Sequence, residues 1–157
     1  MIDFIIEKSK AVSITGHREI GLDCDKNKLK QTFLSLIEKE NFNTFLIGMA
    51  VGFDMLCFSI LEEIRKEKDI KLVACVPCRE QDKLYSFSQK TEYRRMLNSA
   101  DQTIILKENY DKYCMIKRNE FMVDNSSILV AYLRKDKGGT AFTVRNANKK
   151  NVPVIKI

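Results

Sequence analysis

Long apolar runs and the features of exported proteins are missing from this sequence of 157 residues. No apolar stretch approaches the roughly 20 residues that a membrane-spanning helix needs. The N-terminal segment MIDFIIEKSKAV has a short apolar patch that Asp3 and Glu7 interrupt. It lacks the basic start and longer apolar stretch of a signal peptide. We therefore expect a cytoplasmic protein that has no membrane partner.

Disulfide and metal sites are also not indicated. The five cysteines are odd in number and irregular in spacing, unlike a disulfide framework. Cys75 and Cys78 form a CxxC pair, but redox CxxC pairs lie at a helix N-terminus, and Cys75 belongs to an apolar run that predicts a strand. No second CxxC completes a zinc site, and His17 is the single histidine. We predict that the cysteines pack in the core and that no metal is bound.

Charge is distributed unevenly along the chain. The formal net charge is +6, and residues 112–157 contain ten Lys and Arg against three Asp and Glu. This basic segment suits a polyanion such as a nucleotide, a phosphate or a nucleic acid, although a solvated helix face is the simpler explanation of charge alone. Single-strand binders also use stacked aromatic residues, and residues 134–157 contain only Phe142. A nucleic-acid partner is therefore not expected.

Apolar runs of strand length alternate with amphipathic segments of helix length. The runs are continuous, as in strands buried on both faces, and they occupy 11–15, 44–48, 71–76, 102–106, 127–132 and 152–157. The helical patterns occupy 26–39, 53–67, 89–98, 112–124 and 140–150. This alternation predicts one α/β domain over residues 1–157, with a mainly parallel sheet of about six strands between two helix layers.

One polar segment, 77–90, interrupts this alternation. It begins with Pro77 and directly follows the third apolar run. We predict a loop with about one helical turn, in the position of a mobile flap.

Two glycine-bearing turns follow predicted strands. The second apolar run is followed by GMAVGFD and the fifth by RKDKGGT, and each leads into a predicted helix. Ligands of open parallel sheets bind beyond the carboxyl ends of the strands, and a helix N-terminus favours a phosphate. Neither turn matches GxGxxG or the Walker A pattern. Packing explains either turn alone, and their occurrence at one edge of the sheet favours binding.

Polar side chains near these turns are further candidates. His17 and Arg18 directly follow the first run, in TGHREIG. Arg118 and Asn119 lie on a predicted helix, either as a pair directed into a pocket or on a solvated face. Asp54 and Asp124 are the carboxylates that we identify as candidate catalytic acids.

These segments resemble the SLOG superfamily, which contains the DprA/SMF and LOG proteins. TFLIGMAVGFDMLCFSILEEI is similar to the SGxAxGxDxxA turn of that group, and GGTAFTVRNANKKNVPVIKI is similar to its second glycine turn. ITGHR and KRNEFMVDNSSILVAY are most similar to the YpsA-like branch. The resemblance spans about residues 11–157. It implies a Rossmann-like domain that binds a nucleotide, an NAD derivative or a nucleoside phosphate across both turns.

The resemblance also implies a set of ligand-binding residues. Transferred position by position, they are Thr15, Gly16, His17, Arg18, Gly48, Ala50, Gly52, Asp54, Arg118, Asn119, Gly138, Gly139 and Thr140. In this set Gly52 is expected to be a bare floor beneath the ligand, and Asp54 to accept ribose hydroxyls. Relatives commonly pair, which makes a homodimer a further expectation.

One departure from the resemblance bears on catalysis. LOG enzymes share PGGxGTxxE, whereas this chain has DKGGTAFTV, with Thr143 where the catalytic glutamate falls. Without that carboxylate an oxocarbenium-like transition state loses its acid/base partner. We therefore predict binding or sensing of a nucleotide-derived ligand. A nucleotide N-glycosidase (phosphoribohydrolase) of LOG type and a single-strand nucleic-acid binder are the alternatives.

Overall fold

Six strands and five α-helices alternate in the computed structural model, which describes residues 5–157. The strands are β1 (Ala11–Gly16), β2 (Thr44–Ile47), β3 (Lys71–Val76), β4 (Gln102–Ile105), β5 (Ile128–Tyr132) and β6 (Val154–Lys156). The helices are α1 (Lys26–Glu38), α2 (Phe53–Arg65), α3 (Phe87–Ser99), α4 (Cys114–Asp124) and α5 (Gly139–Lys149). Every predicted strand and helix in this range is confirmed. The prediction that the N-terminal segment is not a signal peptide rests partly on residues 1–4, which lie outside the described residues.

The strands form one sheet in the order β4-β3-β2-β1-β5-β6, and all neighbours are parallel. From β1 to β4 the chain moves toward one edge, and it then returns to the far side of β1 for β5 and β6. The carboxyl ends of all six strands therefore share one edge of the sheet. The strand order reverses between β1 and β5, which is where such sheets form a ligand crevice.

Helices cover both faces of the sheet because the strands are apolar on both sides. On one face α1, α2 and α3 pack around a core that includes Phe33, Phe45 and Tyr93. The rings of Phe33 and Phe45 meet edge to face with centroids 5.6 Å apart. On the other face α4 and α5 pack through residues such as Val123 and Val144. The predicted three-layer α/β architecture is confirmed.

The polar segment after β3 consists of turns that end in a helix cap. Ser86 Oγ accepts a hydrogen bond from the Gln89 N–H, and the Gln89 side chain accepts one from the Ser86 N–H. This capping box starts α3 at Phe87, two residues before the predicted start. Gln81 Nε2 donates to the Gly48 carbonyl (2.9 Å), and the Tyr85 hydroxyl donates to the Met49 carbonyl (3.0 Å). The segment predicted as a mobile flap is thus attached at two points to the turn after β2.

The five cysteines are free and buried. Cys75 lies in β3, where burial raises the pKa of its thiol to about 12, as expected of a packing residue. Among the described residues, no group of three or more His, Cys, Asp or Glu side chains is arranged to hold a metal ion. No helix within residues 5–157 is long and apolar enough to cross a membrane.

Candidate ligand site at the carboxyl edge of the sheet

A cavity of about 270 Å³ opens where the strand order reverses. The end of β1, the first turn of α2, the middle of α4 and the N-terminus of α5 form its walls. Its lining consists of Ile14, Thr15, Gly16, His17, Arg18, Ala50, Asp54, Met115, Arg118, Asn119, Lys137, Gly138, Gly139 and Thr140. The structure therefore brings together eleven of the thirteen residues expected to bind a ligand, and it leaves out Gly48 and Gly52.

Asp54 is a buried carboxylate at the cavity wall. It lies in the first turn of α2 and is 5% exposed. Its Oδ2 accepts a hydrogen bond from the Ala50 N–H (3.1 Å), whereas its Oδ1 has no partner among the described residues. Burial raises the pKa of Asp54 to about 6, against the opposing charge of Arg118. An ionised, half-satisfied carboxylate in this position is costly for the fold, since buried charges need partners.

Arg118 is a buried cation that reaches the same cavity from α4. It is 5% exposed, and its Nη1 donates to the Gly48 carbonyl and to the Cys75 carbonyl (3.2 Å). Its Nε donates to Asn119 Oδ1 (2.8 Å). Among the described residues Nη2 contacts the sulfur of Met115 at 3.8 Å, which is a weak acceptor. The guanidinium therefore keeps donor capacity for a group inside the cavity.

His17 links the two loops that border the cavity. Its Nε2 accepts hydrogen bonds from the backbone N–H groups of Arg134 (2.8 Å) and Lys135 (3.3 Å). An imidazole that accepts at Nε2 is neutral and carries its proton on Nδ1. Burial, and then the charges of Lys135 and Arg134, lower the pKa of His17. His17 thus fixes the start of the loop that carries Gly138 and Gly139.

The turn after β5 leaves the N-terminus of α5 open. Gly138 has a φ of +89° and caps the helix without a side-chain hydrogen bond. The first N–H groups of a helix have no partner within the helix, so here they remain available at the cavity. A Cβ on Gly138 would meet nothing within 4 Å, and one on Gly139 would meet Asn119 Nδ2 at 3.7 Å. The positive φ accounts for a glycine at 138, whereas neither close packing nor a left-handed backbone accounts for the glycine at 139.

The turn after β2 has a different reason for its glycines. Gly52 has a φ of +85°, and a Cβ there would overlap the backbone carbonyl of Arg18. A Cβ on Gly48 would lie 2.9 Å from the Arg118 Cζ. Neither glycine borders the cavity. The structure does not place Gly52 as a bare floor beneath a ligand, because the neighbouring loop fills that space.

Of the two candidate catalytic carboxylates, Asp54 alone borders the cavity. Asp124 is the last residue of α4 and pairs with Lys150 at the surface. Thr143, which replaces the LOG glutamate, is buried and donates from Oγ1 to the Gly139 carbonyl (2.7 Å). It is not part of the cavity lining. Asp124, which we identified as a candidate catalytic acid, therefore lies outside this cavity.

Sequence reasoning missed Ile14, Met115 and Lys137, which also line the cavity. Met115 precedes Arg118 by three residues on α4, so helical spacing places both on one face. Lys137 directly precedes Gly138 and Gly139, and its positive charge beside this turn could have identified it as a candidate ligand-binding residue. Ile14 is a strand residue that the apolar pattern assigns to the core.

A doubly wound parallel sheet with a cavity at its strand reversal and an open glycine turn before α5 defines a Rossmann-like fold. The family model described as the YpsA SLOG family matches residues 7–154. The chain therefore belongs to the YpsA family of SLOG proteins.

Individual relatives agree with this assignment. The uncharacterized SPbeta prophage-derived protein YoqJ of Bacillus subtilis (strain 168) is 39% identical, over 79% of this chain and 80% of YoqJ. DprA of Streptococcus pneumoniae superposes with a TM-score of 0.70 and 17% identity, over 92% of this chain and 49% of DprA. DprA of Helicobacter pylori, in a structure described as showing its single-stranded DNA binding mode, superposes with a TM-score of 0.65 and 18% identity. This superposition covers 95% of this chain and 65% of that DprA chain. The chain spans about half of the first DprA chain, and these structural likenesses show the fold.

Proposed function

We propose that the chain binds a small nucleotide-like ligand, with a phosphate at the N-terminus of α5 and a sugar beside Asp54. The phosphate would accept hydrogen bonds from the open N–H groups that follow Gly138, where the helix dipole also favours an anion. The space beside Gly139 allows the phosphate to approach the backbone. No other cofactor is proposed, and the expected homodimer stays a prediction.

The presence of the buried Asp54 and Arg118 side chains in one cavity wall carries this proposal. Both side chains are 5% exposed, and each retains unused hydrogen-bonding capacity among the described residues. A ligand that offers hydroxyl donors to Asp54 and an oxygen acceptor to Arg118 would satisfy both. A nucleoside phosphate has these groups, whereas an apolar ligand would leave a buried charge without a partner.

Thermal unfolding in the presence of AMP, adenosine and inorganic phosphate tests the proposal. We expect AMP to raise the melting temperature more than adenosine and phosphate do at equal concentrations, because a ligand of the folded state stabilises it. The Asp54→Asn variant should lose most of this shift. Asp124→Asn makes the same chemical change outside the cavity and should keep it. Equal shifts with adenosine and AMP would contradict a phosphate site at α5.

Hydrolysis of an N-glycosidic bond is a second candidate, favoured by the raised pKa of Asp54. A buried carboxyl that titrates near pH 6 is suited to proton transfer. The position of the LOG glutamate is nevertheless occupied by Thr143, whose hydroxyl is used within α5. We expect no release of adenine from AMP when the reaction is followed by chromatography. If the wild-type protein released adenine over many turnovers, and if Asp54→Asn abolished this activity while Asp124→Asn retained it, hydrolysis would become the leading function.

Single-stranded DNA is a third candidate because the Helicobacter pylori DprA structure concerns that ligand. The basic C-terminal segment offers Phe142 as its aromatic residue after residue 133, and this ring is half-buried. We expect weak binding that falls steeply as salt releases counterions. Fluorescence anisotropy with an oligothymidylate measures it. A submicromolar complex at physiological salt would place DNA ahead of the small ligand.

A further inference from the structure

A second and larger cavity, of about 660 Å³, adjoins the first. It lies between the loop after β1 and the chain from Tyr132 to Lys135, and His17 and Arg18 line both cavities. The first cavity lies near the lower end of the roughly 300–1,000 Å³ typical of ligand pockets. A ligand confined to it would be small, and a larger ligand would continue past His17 and Arg18.

Arg134 gives the second cavity a fixed planar wall. The Tyr132 ring stacks on Phe53, with centroids 5.5 Å apart and planes inclined by 17°. The Arg134 guanidinium lies 4.3 Å from the centroid of the Tyr132 ring. Its Nε donates to Asp23, and its Nη1 donates to the Ile157 carbonyl (2.8 Å). The guanidinium plane is thus held in place, and Arg134 is part of the cavity lining.

Three cations line the two adjoining cavities, and the acidic residues Glu19 and Asp23 also line the second one. Arg18 lines both cavities, Lys137 lines the first and Lys135 lines the second. Within residues 5–157 none of the three forms a salt bridge, whereas Arg134 pairs with Asp23. Arg18 borders both cavities and lines the first together with Lys137 and the open N-terminus of α5, and this arrangement favours negative charge between α5 and Arg18.

We infer that the ligand has two halves joined by a diphosphate, and that the second half carries a planar ring. The first half occupies the cavity of Asp54 and Arg118, the diphosphate extends from the N-terminus of α5 to Arg18, and the ring of the second half stacks on the guanidinium of Arg134. Guanidinium planes stack well on nucleobases. This inference rests on the proposed function, since it extends the same site.

Calorimetric titration with four probes tests the inference. The probes are AMP, ADP, ADP-ribose and diadenosine diphosphate, all at one salt concentration. We expect diadenosine diphosphate to bind at least tenfold more tightly than ADP-ribose, because its second half carries a planar base that ADP-ribose lacks. ADP-ribose, whose second half is a sugar without a planar base, should bind within about threefold of ADP. This comparison needs no variant, so it holds even if substitutions disturb the fold.

The Arg134→Lys variant then identifies the stacking residue. Lysine keeps the positive charge but has no planar guanidinium. The affinity ratio of diadenosine diphosphate to ADP-ribose should therefore fall from about ten to about one. Arg94→Lys, an exposed arginine on α3, is the matched control and should keep the preference. Equal affinity of the wild-type protein for diadenosine diphosphate and ADP-ribose would overturn the inference and leave the proposed function intact. Binding of none of the four probes would overturn both.

Discussion

The two glycine turns at the carboxyl edge of the sheet resemble each other in sequence but differ in what surrounds them. Side chains added at Gly48 and Gly52 would collide with Arg118 and with the backbone of Arg18. Side chains added at Gly138 and Gly139 would enter open or loosely occupied space. The first pair is required by the protein's own packing. The second pair leaves space that the protein does not use, which is what a ligand site requires.

The helix N-termini that follow these turns differ in the same way. The first N–H of α2, on Phe53, donates to the His17 carbonyl (3.2 Å), and Asp54 supplies a negative charge in the first turn. The first turn of α5 has no acidic residue and no side-chain cap. The dipole of α2 is therefore compensated from within the chain. An external anion is expected at α5 and a hydroxyl-bearing group beside Asp54.

The largest expected effect is the loss of stability caused by Gly52→Ala. The alanine would be strained at a φ of +85° and would overlap the Arg18 carbonyl. Strain at such a backbone position costs about 1–3 kcal/mol and overpacking a similar amount. We expect the free energy of unfolding to fall by at least about 3 kcal/mol in urea titrations. A loss below 1 kcal/mol would show that this turn is not fixed by packing.

Asp54→Asn is expected to stabilise the ligand-free protein at pH 8. The pKa of Asp54 is about 6 in the folded state against an ordinary value of 3.8. The stability that neutral Asp54 contributes is therefore complete below about pH 4 and is lost as pH rises through 6. The difference corresponds to about 3 kcal/mol at most, and we expect a gain of about 1–3 kcal/mol at pH 8 that disappears at pH 4.

Chemical denaturation of Asp54→Asn and Asp124→Asn across this range measures the gain. Asp124 is paired at the surface, so its variant should not show the same pH-dependent increase. A destabilised Asp54→Asn variant at pH 8 would mean that the carboxylate is satisfied in the free protein.

A smaller effect is expected from His17→Ala. The change removes the acceptor of the Arg134 and Lys135 N–H groups. These groups are at the surface and can turn to water, so we expect a loss of about 1 kcal/mol.

The contribution of neutral His17 depends on pH in the opposite sense to that of Asp54. The folded pKa is lowered from 6.5, so the contribution is complete above that value and is lost as pH falls through the folded pKa. Titration of the imidazole by NMR, with unfolding measured at pH 7.5 and pH 5, checks both statements. A His17 pKa above 6.5 would contradict the hydrogen bonds at Nε2.

The smallest expected effect is that of Gly139→Ala on stability. The added Cβ has 3.7 Å to its nearest neighbour, at a helical position where alanine is tolerated. We expect a change within about 0.5 kcal/mol, measured beside Gly52→Ala under the same conditions. Binding of AMP should nevertheless weaken by at least tenfold. An equal loss of stability in both variants would remove the distinction between the two turns.

The sequence predicted the strands and helices well because continuous apolar runs and amphipathic stripes arise from burial on both faces of the sheet. It also grouped Thr15, Asp54 and Arg118, which lie on different elements, because all follow from one strand edge or one family pattern. It did not predict that the space beside Gly52 is filled, or that Asp124 lies outside the cavity. What fills the space beside a glycine, and where the end of a helix points, depend on residues distant in the chain. Arg18 and Lys150 decide these two cases.

The unsatisfied Oδ1 of Asp54 has a consequence for calorimetry. A ligand whose hydroxyls bond to this carboxylate favours its ionised form and lowers its pKa from about 6. Near pH 6, where the free protein is about half protonated at this residue, binding would then expel part of a proton into the solvent. The apparent binding enthalpy would change with the ionisation enthalpy of the buffer, and this change would vanish at pH 8. Ligand affinity would rise between pH 5 and pH 7, so proton uptake and ligand occupancy oppose each other at one carboxylate.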